Sequence, residues 1–267
     1  MDLRLEGKRA LVTGSSSGIG EAIAKTLARE GVSVVVHGRN ERRAARVAAE
    51  IEAAGGTTGV VLGDLSLDDS ARSVAEAALS ALGGIDILVN NAGVGGPQRS
   101  WFETPPTQWA QLYSHDVLSM VRLVQALAPH MCQRGWGRLI QVASAAATQP
   151  LAAAPEYSAA KAATANLSVS LSKALANTGV TANTISPGGI RTAGFEWVWR
   201  DIAKQRGWGD DWAEIERRIV SDVMPNPTGR VGHVDEVASL VALVASPLGG
   251  YINGANLRVD GGYVTGI

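Results

Sequence analysis

RALVTGSSSGIGEAIAKTLAREGVSVVVH, residues 9–37, is the stretch whose reading decides the fold. RALVT (9–13) and SVVVH (33–37) are short apolar, β-branched runs, and between them lies a pattern predicting a helix over about 19–30. Both runs are continuous rather than alternating, as strands are when helices cover both faces of a sheet. Two strands joined through a helix pair in parallel with a right-handed crossover. The turn Thr13-Gly14-Ser15-Ser16-Ser17-Gly18-Ile19-Gly20 has three glycines. They let the backbone bend tightly and approach a ligand, while the helix N-terminus offers free N–H groups and a positive dipole end. A pyrophosphate fits such a turn. The spacing is G-x3-G-x-G rather than G-x-G-x-x-G, so this reading rests on its place after the first strand. A glycine turn kept for packing alone is the alternative.

The same alternation continues outward. SVVVH leads to a helix over about 41–54, GVVLG (59–63) to one over about 69–82, and DILVN (86–90) to a longer one near 107–134. RLIQVAS (138–144) precedes a helix running to about 178, VTANTIS (180–186) is a sixth strand and NLRVD (256–260) a seventh. Repeated units of this kind predict an α/β fold with a doubly wound parallel sheet. Segment 193–228, before VDEVASLVALVA, breaks the pattern, and no repeat or linker divides the chain.

Composition narrows the function. The 267 residues are 46% apolar and include 31 glycines, with 24 basic and 25 acidic residues giving a net charge of −1. That balance leaves no electrostatic footprint for nucleic acid and no polybasic membrane anchor. No run reaches the 18 apolar residues of a membrane span, and the first residues lack a signal pattern. The one cysteine, Cys132, excludes an internal disulfide framework, so a soluble, cytoplasmic protein is expected. His115, His130 and His233 have no metal-ligand spacing, and no catalytic metal is expected.

Three residues carry the chemistry. Tyr157 and Lys161 stand four apart in PEYSAAKAATANL, on one helix face, and Ser144 closes RLIQVAS thirteen residues earlier. A free tyrosine, with a pKa of about 10, is a poor base at neutral pH. A neighbouring ammonium favours the phenolate and brings the group towards acid–base work. Ser144 can hydrogen-bond the same substrate oxygen. An ordinary helix with an exposed Tyr and Lys at this spacing is the bland reading.

The second strand reads the cofactor. An NAD enzyme usually places an acid there for the ribose 2′-hydroxyl, but the strand ends His37-Gly38-Arg39-Asn40. Arg39 can stack on adenine and pair with a 2′-phosphate. NADP(H) is therefore expected, with NAD(H) possible; a solvated Arg39 beside Arg42 and Arg43 is the alternative. Asp64 in GDLS can accept from the adenine amino group, and Asn90-Asn91-Ala92-Gly93 can line the adenosine ribose. The expected cofactor surface comprises Gly14, Ser16, Ser17, Gly18, Ile19, Gly20, Arg39, Asp64, Leu65, Asn91 and Gly93.

With TGSSSGIG, GDLS, NNAG, Ser144, YSAAK, SPGGIRT, GRVGHVDEVA and INGANLRVDGG in this order, nearly the whole chain resembles the short-chain dehydrogenase/reductase family. It resembles the family's short single-domain branch, and its tail most resembles 3-oxoacyl-carrier-protein reductases and their relatives. The resemblance implies one Rossmann-type domain over 1–267 with a seven-stranded sheet, and a substrate lid at about 193–228. It implies Tyr157 as acid/base, Lys161 bound to the nicotinamide ribose, and Ser144 orienting the carbonyl. Pro187, Gly188, Ile190 and Thr192 match the segment that holds the nicotinamide amide. The substrate would be a small-molecule carbonyl or alcohol. A homotetramer is implied, with helices at about 107–134 and 156–178 pairing between subunits.

One position departs from the family. Counting from Trp109 places Asp116 where relatives carry an Asn in the proton relay; an ionised Asp accepts hydrogen bonds but cannot donate. A retained but retuned relay is expected. Segment 193–228 holds Phe195, Trp197, Trp199, Trp208 and Trp212. Two readings stay open: a pocket for an apolar or ring-bearing substrate, or tryptophans packing a helical hairpin. Arg191 and Arg200 can face a carboxylate, though solvated surface suits them better. The expectation is a ketoreductase; the alternatives are an NAD-dependent alcohol dehydrogenase and a non-catalytic dinucleotide-binding sensor.

Overall fold

Alternating face by face, the strand side chains build two cores. In the computed structural model of the chain, which describes residues 1–95 and 100–266, the first half runs β1 (Arg9–Val12), α1 (Gly18–Arg29), β2 (Ser33–Gly38), α2 (Glu41–Ala53), β3 (Thr58–Leu62), α3 (Asp68–Leu82) and β4 (Ile87–Asn90). It continues α4 (Pro106–Tyr113), a π-helical turn (Ser114–Leu118), α5 (Ser119–Gln133), β5 (Gly137–Val142), α6 (Pro155–Ala174) and β6 (Val180–Pro187). Then follow β7 (Ile190–Arg191), α7 (Ala193–Arg206), α8 (Trp212–Arg218), β8 (Gly232–His233), α9 (Val234–Ala245) and β9 (Asn256–Val259). Seven strands form one parallel sheet in the order β3-β2-β1-β4-β5-β6-β9, the α/β, Rossmann-type sheet expected.

Leu11, Val35, Leu88 and Leu139 point to one face, beneath Val74 of α3 and Leu123, Leu127 and Met131 of α5. Val12, Val36, Val89 and Ile140 point to the other, beneath Ile23 and Leu27 of α1 and Val237 and Val241 of α9. Every one of these side chains is at most 1% exposed, and each such burial contributes roughly 1.5–3 kcal/mol. The amino ends of the central strands β1 and β4 are clamped together: Arg9 gives Nε (2.8 Å) and Nη2 (2.9 Å) to the Asp86 carboxylate. Strand order reverses between β1 and β4, so their carboxyl ends open the crevice where ligands of doubly wound sheets bind.

Three details differ from the sequence expectation. The long helix near 107–134 is two α-helices joined by the π-helical turn, whose extra residue per turn leaves no mark on the apolar pattern. Helix α6 ends at Ala174 rather than about 178, because Asn177 (φ 63°) and Gly179 (φ 76°) take left-handed conformations that a helix does not contain. The parallel ribbon β7–β8 lies where no strand was expected; two residues are too few for a period.

Segment 193–228 folds as α7, α8 and a second π-helical turn (Ile219–Val223) around a small core of its own. Trp199 is 7% exposed, with Trp208 stacked 6.4 Å away and Phe195 at 5.9 Å. Packing therefore absorbs these aromatics, while Trp197 is 74% exposed.

Candidate active site

The glycine turn is held from three sides. Ser15 Oγ donates to the Val12 carbonyl (2.6 Å) and accepts from the His37 N–H (2.9 Å). His37 Nδ1 accepts from the Gly14 N–H (3.1 Å), which leaves the ring proton on Nε2, 3.3 Å from the Gly63 carbonyl. Burial pushes His37 down to about 4, against the raising effect of the Gly63 carbonyl, so the imidazole is neutral at pH 7. Asn91 Nδ2 donates to the Thr13 (2.9 Å) and Gly14 (3.4 Å) carbonyls. Gly20 lies under it: a Cβ there would stand 2.4 Å from Asn91 Nδ2 and 2.5 Å from the Gly14 oxygen. Gly20 and Asn91 thus shape the turn rather than line its cleft, and Ile19 packs on the core.

The cleft above this turn, about 340 Å³, is lined by Gly14, Ser16, Ser17, Arg39, Asp64, Leu65 and Gly93 of the expected residues. His37, Arg43 and His115 line it too and were not foreseen; a histidine in an apolar strand and one arginine among several carry no distinguishing sequence signal. Ser17 begins α1 without a side-chain capping bond, so the first-turn N–H groups remain for an anionic ligand. Ser16 Oγ lies against Gly38, next to Arg39: a Cβ on Gly38 would stand 2.7 Å from it. Asp64 is held below the usual carboxylate range, first by the Ser66 hydroxyl and N–H on Oδ1 (2.7 and 2.9 Å). A groove from Ser16, Ser17 and Gly18 continues to Thr192, which caps α7 by accepting from the Phe195 N–H (3.1 Å). Pro187 ends β6, Gly188 N donates to the Val259 carbonyl (2.9 Å), and Ile190 is buried in β7. The donors, the depth and the basic side chains fit a dinucleotide.

At the carboxyl ends of β4 and β5 the reactive side chains gather. Ser144 follows β5 and caps the 3₁₀ turn Ala145–Ala147, accepting from the Ala146 N–H (3.1 Å), and α6 packs on that turn. Tyr157, half-buried in the first turn of α6, packs with Val94 and Leu112. Lys161 lies one turn below, its Nζ 5.6 Å from the Tyr157 ring centre. That ammonium is buried, 2.9 Å from Asp116 Oδ2 and 3.5 Å from the Val142 carbonyl. Burial works to lower it, but Asp116 and then Tyr157 hold it above the ordinary lysine range. Asp116 arrives from the π-helical turn, its Oδ1 accepting from the Val94 N–H (2.9 Å). Space is tight: a Cβ on Gly93 would stand 3.1 Å from both Asp116 Oδ2 and Lys161 Nζ.

Arg191 and Arg200 are already engaged: both approach Glu196, and both lie over the Trp212 ring at 4.8 and 5.6 Å. Among the described residues no three His, Cys, Asp or Glu side chains come together as a metal site.

Residues 8–202 match the sequence family described as short chain dehydrogenase. The chain belongs to the short-chain dehydrogenase/reductase family. The uncharacterized oxidoreductase YvaG of Bacillus subtilis is 35% identical over 268 residues, all of both chains. The 7alpha-hydroxysteroid dehydrogenase of Escherichia coli is 33% identical over 98% of this chain and 96% of its own. Among solved structures, L-sorbose reductase from Gluconobacter frateurii, complexed with NADPH and L-sorbose, superposes with a TM-score of 0.95 at 32% identity over the whole of both chains. This short-chain dehydrogenase/reductase is thus an NAD(P)-dependent oxidoreductase acting on alcohol and ketone groups. Among its described residues no helix is long and apolar enough to cross a membrane.

Proposed function

We propose that the protein is an NADP(H)-dependent ketoreductase in which Tyr157, Lys161 and Ser144 carry the chemistry. The observation that carries this reading is the Lys161 ammonium, buried one helical turn beneath Tyr157 at the carboxyl edge of the sheet. The bound nicotinamide supplies or accepts the hydride. In reduction the Tyr157 hydroxyl gives its proton to the carbonyl oxygen; in oxidation its phenolate takes the alcohol proton. Ser144, whose Oγ already accepts from Ala146, keeps its O–H to donate to the same oxygen. Lys161 stands one turn from the Tyr157 ring and offers N–H donors to a ribose. The 2′-phosphate is assigned to Arg39, with Arg43 and Ser16 beside it in the cleft, and no acid ends β2 to repel it. Pro187, Gly188, Ile190 and Thr192 are assigned to the nicotinamide amide. One cysteine and a near-neutral surface suit work in a reducing cytoplasm.

The substrate proposed is a ketone on an apolar or ring-bearing frame, for which exposed Trp197 offers a surface. A second reading, a polyhydroxy ketone, is favoured by the likeness to L-sorbose reductase and by the burial of Trp199 in packing. The experiment is NADPH and NADH oxidation, followed by absorbance, against acetoacetyl thioester, cyclic, aryl and steroid ketones and a ketose. Turnover with NADPH on one class supports the reductase and names that class. Tight NADPH binding with no turnover on any class would favour a non-catalytic dinucleotide sensor; turnover only with NAD and alcohols would favour the oxidative alternative.

A further inference from the structure

The Asp116–Lys161 contact is unusual in its setting. Both side chains are buried, and the 2.9 Å separation makes a closed, water-poor ion pair directly behind Tyr157. An isolated ammonium at that depth presents a full positive charge to the tyrosine oxygen; one paired with a carboxylate presents a dipole instead. The Val94 N–H fixes Asp116 Oδ1, so Oδ2 is the oxygen aimed at Lys161. The other titratable groups on the elements packed around α6 are placed or engaged elsewhere. Tyr113 of α4 is exposed. His115 of the π-helical turn lines the cofactor cleft. Glu156 of α6 accepts from Gln108 of α4 (2.9 Å). Arg138 sits at the opposite end of β5, on the Ser246 and Gly137 carbonyls; Lys173 is three turns along α6. Neither the 3₁₀ turn Ala145–Ala147 nor β6 bears a titratable side chain. Asp116 is therefore the carboxylate that answers Lys161.

We propose that Asp116 is a positioning residue that neutralises Lys161, keeping Tyr157 in its proton-donating form through mildly alkaline pH and so fitting the enzyme to carbonyl reduction. This inference rests on the proposed role of Tyr157. In the π-helical turn the carboxylate reaches the ammonium while the backbone stays helical on either side, which is how one inserted residue re-aims a side chain. The protons balance as in the reaction above: the donor proton of Tyr157 ends on the product alcohol, and Lys161 and Asp116 exchange none.

The test is the pH profile of wild type and Asp116→Asn, in both directions, with cofactor saturating. Loss of the carboxylate is expected to move the midpoint of alcohol oxidation down by about one pH unit, the effect of one charge at close range. Oxidation at pH 7 then rises up to about tenfold, and reduction at pH 9 falls in step. Midpoints unchanged in an active Asp116→Asn enzyme would overturn the inference. A second readout needs neither turnover nor a variant at Asp116: alkaline titration near 295 nm of wild type against folded Tyr157→Phe, both free of cofactor. No difference step is expected through neutral pH; a step below about pH 8 would overturn the proposal, and its absence there supports it. Full activity in Tyr157→Phe would instead remove the proposed function itself, a separate outcome.

Discussion

At the scale of single residues, His37 couples pH to the glycine turn. Its folded value of about 4 lies below the unfolded value of about 6.5, so between the two the unfolded chain binds more protons. The resulting stability is complete above pH 6.5 and is lost as pH falls through 4; it amounts to about 3 kcal/mol. Urea unfolding of wild type and His37→Asn should show this as a gap in pH dependence between pH 7.5 and 4. Parallel curves would contradict it. Arg39 belongs to the same scale: Arg39→Asp is expected to move the ratio of kcat/KM for NADPH over NADH towards NADH by at least about tenfold, since it removes a fork-shaped partner and adds a like charge. An unchanged ratio would put the 2′-phosphate elsewhere. The place of Arg39 on the cleft was legible because it follows from strand position. The sequence left His37 dark, because the ring's partners, Gly14 and Gly63, belong to other strands' ends.

At the scale of elements, segment 193–228 is a small cluster resting on Trp199, Trp208, Ile215 and Ile219. Trp199→Ala would open a cavity there at a cost of about 3 kcal/mol. Because the cluster lies apart from the two sheet cores, the substrate KM is expected to rise severalfold while NADPH Kd stays within about twofold. Steady-state kinetics and fluorescence titration separate the two, and an equal loss of both would show the cluster to be part of the cofactor site. Sequence patterns served well where an element is long and apolar on one side: β1, α1, β2 and α3 lie within two residues of expectation. They failed at the π-helical turn Ser114–Leu118 and the ribbon β7–β8, which are set by tertiary contacts. Asp116 was named through the family resemblance, counting from Trp109, but its closed pair with Lys161 is visible only in the folded turn.

At the scale of the whole molecule, α6 presents exposed Ala159 and half-buried Ala162 away from its deeply buried polar face of Ser158, Lys161, Thr164 and Ser168. We propose that this small-residue face packs against a second subunit, so sedimentation should give about four times 27.7 kDa; a monomer at micromolar concentration would refute the assembly. In the proposed function, one sheet carries a dinucleotide on its glycine turn and a proton donor at Tyr157. Turnover and NADPH binding of Tyr157→Phe test it together, using a ketone that wild type reduces. The prediction is less than about a tenth of wild-type turnover with NADPH binding nearly intact, because the hydroxyl is lost while the cleft at Gly14, Arg39 and Asp64 is untouched. Turnover above that level, with binding unchanged, would contradict the claim.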